Sequence, residues 1–302
     1  MQSAKHHHLF RPLLASRSEN LVPRIDSGET KLKGMATNKV LPPNIIFPLK
    51  APGSTRLVAW NVCGLASSQK KGFNQYLQAE DPDLLVLTET KVNNPPVDPE
   101  LMARFPHRSW SISDTKGYAG TAILSKMPPL SVSYNLPGYD NPAVVKGRVI
   151  TLEYPGCWVV GTYVPNAGQN LKALDVKVAW NSAFEAYIRE LDTTKPVIWL
   201  GDLNVAPTSK DLKNDKTNWN KTAGYTEAEC TAFARTLAKS SRGEGNEGPQ
   251  FLDIWRELHP NEEAYTYFSY RFNCRTKQIG WRLDFFILSE RLRPRVKMCE
   301  IR

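Results

Sequence analysis

From Thr55 onward, short apolar runs alternate with stretches whose apolar positions recur every three or four residues. The runs RLVAWNV (56–62), DLLVLTE (83–89), GTAILS (120–125), VITLEY (149–154), WVVGTYV (158–164), VIWLGD (197–202) and WRLDFFIL (281–288) predict buried strands. Residues 170–191 place Leu174, Val178, Phe184, Tyr187 and Leu191 at helical spacing. Thr226 with Glu229 has the spacing of a capping box, opening a helix towards Leu237. SSRGEGNEGP (240–249) reads as a surface loop. The alternation predicts a layered α/β domain over residues 55–302, without internal repeats. Residues 1–54 lack sustained periodicity and predict a flexible leader.

Composition narrows this picture. No apolar stretch approaches the roughly 20 residues of a membrane-spanning helix. The five cysteines (Cys63, Cys157, Cys230, Cys274, Cys299) include no CxxC pair, which argues against a zinc cage or a disulfide framework. Of the net charge of +9, residues 1–50 carry +5, with 8 Lys/Arg against 3 Asp/Glu. Residues 51–302 hold 31 basic and 27 acidic residues, a mildly basic body compatible with a phosphate-backbone partner. The first 18 residues contain Lys5, Arg11, Arg17 and three serines but no acid before Glu19, a pattern shared by mitochondrial presequences and by tails without an address. Met35 offers a second start.

The polar residues that end the apolar runs carry the chemistry. AWNV ends on Asn61, LLVLTET on Glu89, GTYVPN on Asn166, and VIWLGDLN on Asp202 and Asn204, while Asp284 interrupts GWRLDFF. Each alone is a plausible turn or cap residue. Five at strand ends together predict one cleft at the edge of the sheets. Oxygen donors without a Cys/His set favour a hard cation, Mg²⁺ or Mn²⁺, with substrate phosphate completing its shell.

WNVCGL (60–65), TETK (88–91), TYVPNAGQ (162–169), GDLNVAP (201–207) and GWRLDFFILS (280–289) together resemble the exonuclease III branch of apurinic/apyrimidinic endonucleases. The resemblance covers residues 55–302 and implies a four-layer αββα sandwich. It implies cleavage of double-stranded DNA 5′ to an abasic site, in the nucleus or mitochondrion, by a monomer without membrane attachment. By the same resemblance, Glu89 is a metal ligand, and Asn61, Asp202 and Asn204 complete the surroundings of the Mg²⁺ or Mn²⁺ ion. Tyr163 and Asn166 contact the phosphate, Asp202 activates or positions the attacking water, and Asn204 stabilises the transition state. Asp284 supports a catalytic histidine. Tyr267, Trp281 and Leu283 line the pocket for the flipped abasic sugar, and Lys70, Lys71, Tyr118 and Arg271 touch the DNA.

Two departures from the family pattern stand out. Cys63 occupies a position where the family has Asp or Asn, and a thiol is a poor ligand for a hard cation. The family also continues, past the equivalent of KMCEIR (297–302), into a strand with an SDHxP-like Asp-His pair. His6, His7, His8, His107 and His259 all lie outside such a motif. The expectation is therefore a domain without its last strand, either a nuclease or, alternatively, a catalytically impaired DNA-binding relative.

Overall fold

Neighbouring residues of the central strands enter different cores. Leu84 and Val86 pack in one apolar cluster, and Leu85 and Leu87 in another. Ile123 likewise separates from Ala122 and Leu124, and Val159 from Val160. This is the pattern of sheets buried on both faces. The computed structural model describes residues 45–239, 248 and 250–302.

Leu57–Asn61 (β1), Leu84–Thr88 (β2), His107–Ser111 (β3) and Thr121–Ser125 (β4) form a sheet in the order β1-β2-β4-β3. Ser131–Ser133 (β5), Val149–Glu153 (β6), Trp158–Tyr163 (β7), Val197–Asp202 (β8), Phe251–Asp253 (β9) and Asp284–Ser289 (β12) form the second, in the order β5-β6-β7-β8-β12-β9. Tyr267–Phe268 (β10) and Gly280–Trp281 (β11) pair as a small ribbon. Within the two large sheets, β1–β2 and β7–β8 are parallel and the other pairs antiparallel, so both are mixed.

Leu84, Val86, Ile123, Ile150, Val159 and Leu200 fill the space between the sheets. Gly161 lets them approach, since a Cβ there would lie 3.0 Å from both Ile123 Cδ1 and Val86 Cγ1. Helix Phe73–Glu80 covers the outside of the four-stranded sheet through Phe73 and Leu77. Helices Leu174–Thr194 and Glu227–Leu237 cover the other outside through Trp180, Phe184, Ile188 and Phe233. The αββα expectation therefore holds. Thr226 caps its helix as expected, but the Glu229 carboxylate reaches Gly224 N–H rather than the Thr226 N–H of a closed box.

One strand expectation needs correction. The run 281–288 is broken at Arg282, whose buried guanidinium pairs with Asp211 at 2.8 Å and Asp253 at 2.7 Å. Arg282 N–H also donates to Asp211 C=O, which takes the chain out of β11 before β12 begins. Asp284 thus opens β12 instead of interrupting it, and its N–H donates to Thr266 Oγ1 at 3.1 Å. Strands β3, β5, β9 and β10 are short or polar, which hides them from an apolar-run search.

Residues 45–54 are irregular but anchored: Phe47 meets the Tyr76 ring at 5.3 Å, and Lys50 pairs with Asp83 at 2.6 Å. The presequence-like opening, Met35 and most of the 240–249 loop lie outside the described residues. No described helix is long and apolar enough to cross a membrane.

Candidate active site

The strand register brings the polar residues together. Asp202 at the end of β8 lies opposite Tyr163 of β7 on one side and Asp284 of β12 on the other. The preceding Gly201 has φ +133°, and a Cβ there would sit 2.1 Å from Thr162 C=O, so only glycine lets β8 turn into the site here. From the opposite sheet, Asn61 Nδ2 bridges Glu89 Oε1 at 3.0 Å and Asp202 Oδ2 at 2.8 Å. One amide thus ties the two sheets together across the cleft.

The turns after the strands finish the constellation. Asn204 donates through Nδ2 to Val164 C=O at 2.9 Å and accepts from Asn166 Nδ2 at 3.0 Å. Its own N–H donates to Asp202 Oδ1 at 2.9 Å. Cys63, Glu89 and Asn204 have φ of +47°, +50° and +49°. Non-glycine residues in the left-handed region carry strain, and such residues cluster where a protein must aim side chains at a ligand.

Electrostatics divide the carboxylates. Burial raises the pKa of Asp202 well above the usual range, and the facing Asp284 raises it further. Burial also raises Asp284, to about 6, against the hydrogen bond from Thr266. Burial pushes Glu89 upward as well, but hydrogen bonds from Asn61 and Lys91 outweigh it and hold Glu89 below its ordinary value. Glu89 is therefore the firmly ionised group, while Asp202 and Asp284 compete for charge. The Tyr163 phenol is held protonated by burial and by the neighbouring Glu89 and Asp202, leaving it a hydrogen-bond donor.

Asn61, Glu89, Tyr163, Asn166, Asp202, Asn204 and Asp284 all line one cleft, and so do Tyr267, Trp281, Leu283 and Lys71. Lys70, Tyr118 and Arg271 are exposed and lie outside its wall.

Three neighbours escaped the sequence reading. Lys91 pairs with Glu89 at 3.0 Å and approaches Cys63 Sγ at 3.7 Å. Arg148 is buried, donates to Tyr118 Oη at 2.7 Å, and lies 4.8 Å from the Tyr163 ring centroid. Thr266 Oγ1 accepts from the N–H groups of Leu283 and Asp284. Lys91 was within the TETK motif; nothing in the local sequence of Arg148 or Thr266 marks them.

The donor set fits a hard divalent cation sparsely held by protein. Glu89 and Asp202 converge on one amide, whereas no three His, Cys, Asp or Glu side chains among the described residues form a metal cage. Sparse protein ligation is the usual manner of Mg²⁺, which keeps waters and takes phosphate oxygens.

The endonuclease/exonuclease/phosphatase family model matches residues 58–300. A DNA-(apurinic or apyrimidinic site) endonuclease of Dictyostelium discoideum is 39% identical over 260 residues, 84% of this chain and 68% of that protein. An exodeoxyribonuclease of Bacillus subtilis is 40% identical over 248 residues, 82% of this chain and 92% of that protein. Among solved structures, an AP endonuclease from Archaeoglobus fulgidus superposes with a TM-score of 0.67 at 26% identity, covering 80% of this chain and 89% of that one.

Proposed function

The chain belongs to the endonuclease/exonuclease/phosphatase family, in its apurinic/apyrimidinic endonuclease and exodeoxyribonuclease III branch, and is a DNA repair nuclease; from that premise we propose that it hydrolyses the phosphodiester 5′ to an abasic site. The observation that carries this reading is the bond network from Asn61 to Glu89 and Asp202, closed by Asn204 and Asn166. Nucleases of this family are in general divalent-metal dependent, and the proposed ion here is Mg²⁺ or Mn²⁺. Glu89 would hold it with Asn61 and Asp202 beside it. When bound, such an ion stabilises charge developing on a phosphoryl oxygen.

The residues themselves do the rest. Asp202, fixed by Asn61 Nδ2 on one carboxylate oxygen and by the Asn204 N–H on the other, is placed to accept a proton from the attacking water. Asn204 and Asn166 present amide nitrogens to the phosphate, and Tyr163 adds a phenolic O–H. Asp284 is the proposed support for a histidine; its Oδ1 is buried and lacks a hydrogen-bond partner among the described residues. Tyr267, Trp281 and Leu283 form an aromatic and aliphatic wall for a sugar without its base. Lys70, Lys71, Tyr118 and Arg271 would meet the DNA backbone or groove. We place the protein in the nucleus or mitochondrion, acting as a monomer, with an ordered domain over about 55–302 behind its leader. Exonuclease and 3′-phosphodiesterase activity are further proposed outlets of the same site.

The test is incision of an end-labelled duplex carrying one abasic residue. Mg²⁺ should support a cut 5′ to that residue that leaves a 3′-hydroxyl, an intact duplex should remain uncut at that position, and EDTA should stop the reaction. Undiminished cutting in EDTA would sink the metal assignment. Binding without any cutting would favour the silent DNA-binding relative.

A further inference from the structure

Behind the active-site turn, on the side away from the cleft, sits a lysine that none of the motifs marked. Lys177 lies in helix Leu174–Thr194, is 1% exposed, and is absent from the cleft wall. Its Nζ donates to Leu203 C=O and Asn204 C=O, each at 2.8 Å. Glu229 Oε1 stands 3.9 Å away, and that carboxylate is itself fixed by Gly224 N–H and Thr226 Oγ1. A plain buried ion pair would need only the Glu229 contact. The two carbonyls point to something more.

In a planar trans peptide the C=O and the N–H point in opposite directions. The Leu203 C=O is turned onto Lys177, so the Asn204 N–H of the same peptide points the other way, onto Asp202 Oδ1 at 2.9 Å. A cation on the carbonyl end polarises that peptide and strengthens the bond at its N–H end. The second carbonyl held by Lys177 is that of Asn204 itself, the residue at φ +49° whose amide meets Asn166 and Val164. One ammonium therefore grips both peptides that aim Asp202 and Asn204.

We propose that Lys177 is a positioning residue for the hydrolytic site, holding the Leu203–Asn204 turn so that Asp202 and Asn204 keep their reacting geometry. This rests on the nuclease reading above. Lys177 touches neither substrate nor cation, so its loss should lower turnover and leave DNA affinity nearly intact.

The experiment compares wild type with Lys177→Met, Lys177→Arg and the double variant Lys177→Met/Glu229→Gln, the last removing the carboxylate that Lys177→Met strands. On abasic duplex, Lys177→Met should reduce kcat about 10–100-fold, the range for residues that orient a ligand-holding group, with KM within about twofold. Lys177→Arg, which keeps a cationic donor, should recover most of kcat, and the double variant should recover thermal stability without recovering kcat. Independently of activity, the Asn204 amide proton resonance should move upfield in both methionine variants as its bond to Asp202 weakens. A fall in Tm with kcat unchanged, or an Asn204 resonance that stays in place, would overturn the proposal. If the wild type cuts nothing, the nuclease reading fails, and the Asn204 resonance alone decides the positioning claim.

Discussion

Cys63 is the residue whose chemistry fits its surroundings least. Its thiol is exposed and faces the Lys91 ammonium at 3.7 Å, which in turn holds Glu89 at 3.0 Å. A hard cation gains little from a thiol, whereas an aspartate at this position would add an oxygen beside Glu89. Cys63→Asp is therefore expected to lower the Mg²⁺ concentration needed for half-maximal incision. A metal titration identical to wild type would place residue 63 beyond the ion's reach. Asp284 shows the opposite tension. Its pKa is raised from 3.8 to about 6, so the native state binds its proton more tightly than the unfolded chain. Its contribution to stability is then fullest below pH 3.8 and falls as pH rises through about 6. Asp284→Asn should remove that slope, giving a higher Tm than wild type near pH 7 and little difference near pH 4, with incision impaired. An unchanged Tm profile would mean the carboxyl is not strained by burial.

Among the elements, the strap between β11 and β12 depends on one buried network. Arg282 donates to Asp211 and Asp253, and Arg256 adds a second cation at Asp211, 2.7 Å away. Removing Arg282 leaves two buried carboxylates undercompensated, which costs about 3–5 kcal/mol in comparable buried pairs. Arg282→Met should therefore lower stability by about that much in urea unfolding; a loss below about 1 kcal/mol, the scale of a surface pair, would contradict a structural role. This strap also marks what was legible in the sequence. Strands such as VIWLGD and DLLVLTE announced themselves because both faces are buried and the apolar run is unbroken. The split at Arg282 was hidden, because a charged residue flanked by Trp281 and Leu283 looks like an outward-facing position until Asp211 and Asp253 appear beside it. Those partners lie 71 and 29 residues away, and pairings of that range leave no local trace.

For the molecule as a whole, the candidate site was readable as residue types but not as contacts. Asn61, Glu89, Asp202 and Asn204 stood out because each lies at or just past the end of an apolar run. That Asn61 would bridge the two sheets, and that Lys91 and Arg148 would supply the nearby positive charge, emerges only once the sheets are packed. The packing has a functional sense: two sheets joined at their polar edges form a cleft that neither could make alone. The central claim is that this edge is one hydrolytic centre, and Asp202, with contacts to both Asn61 and Asn204, is its hub. The most direct test is single-turnover incision of an abasic duplex by Asp202→Ala beside wild type, with duplex affinity measured on the same preparations. The expected result is a rate lower by at least about 10²-fold, the scale of one preorganised transition-state contact, with affinity within about threefold. A variant that cuts at the wild-type rate, or whose defect lies mainly in affinity, would contradict it.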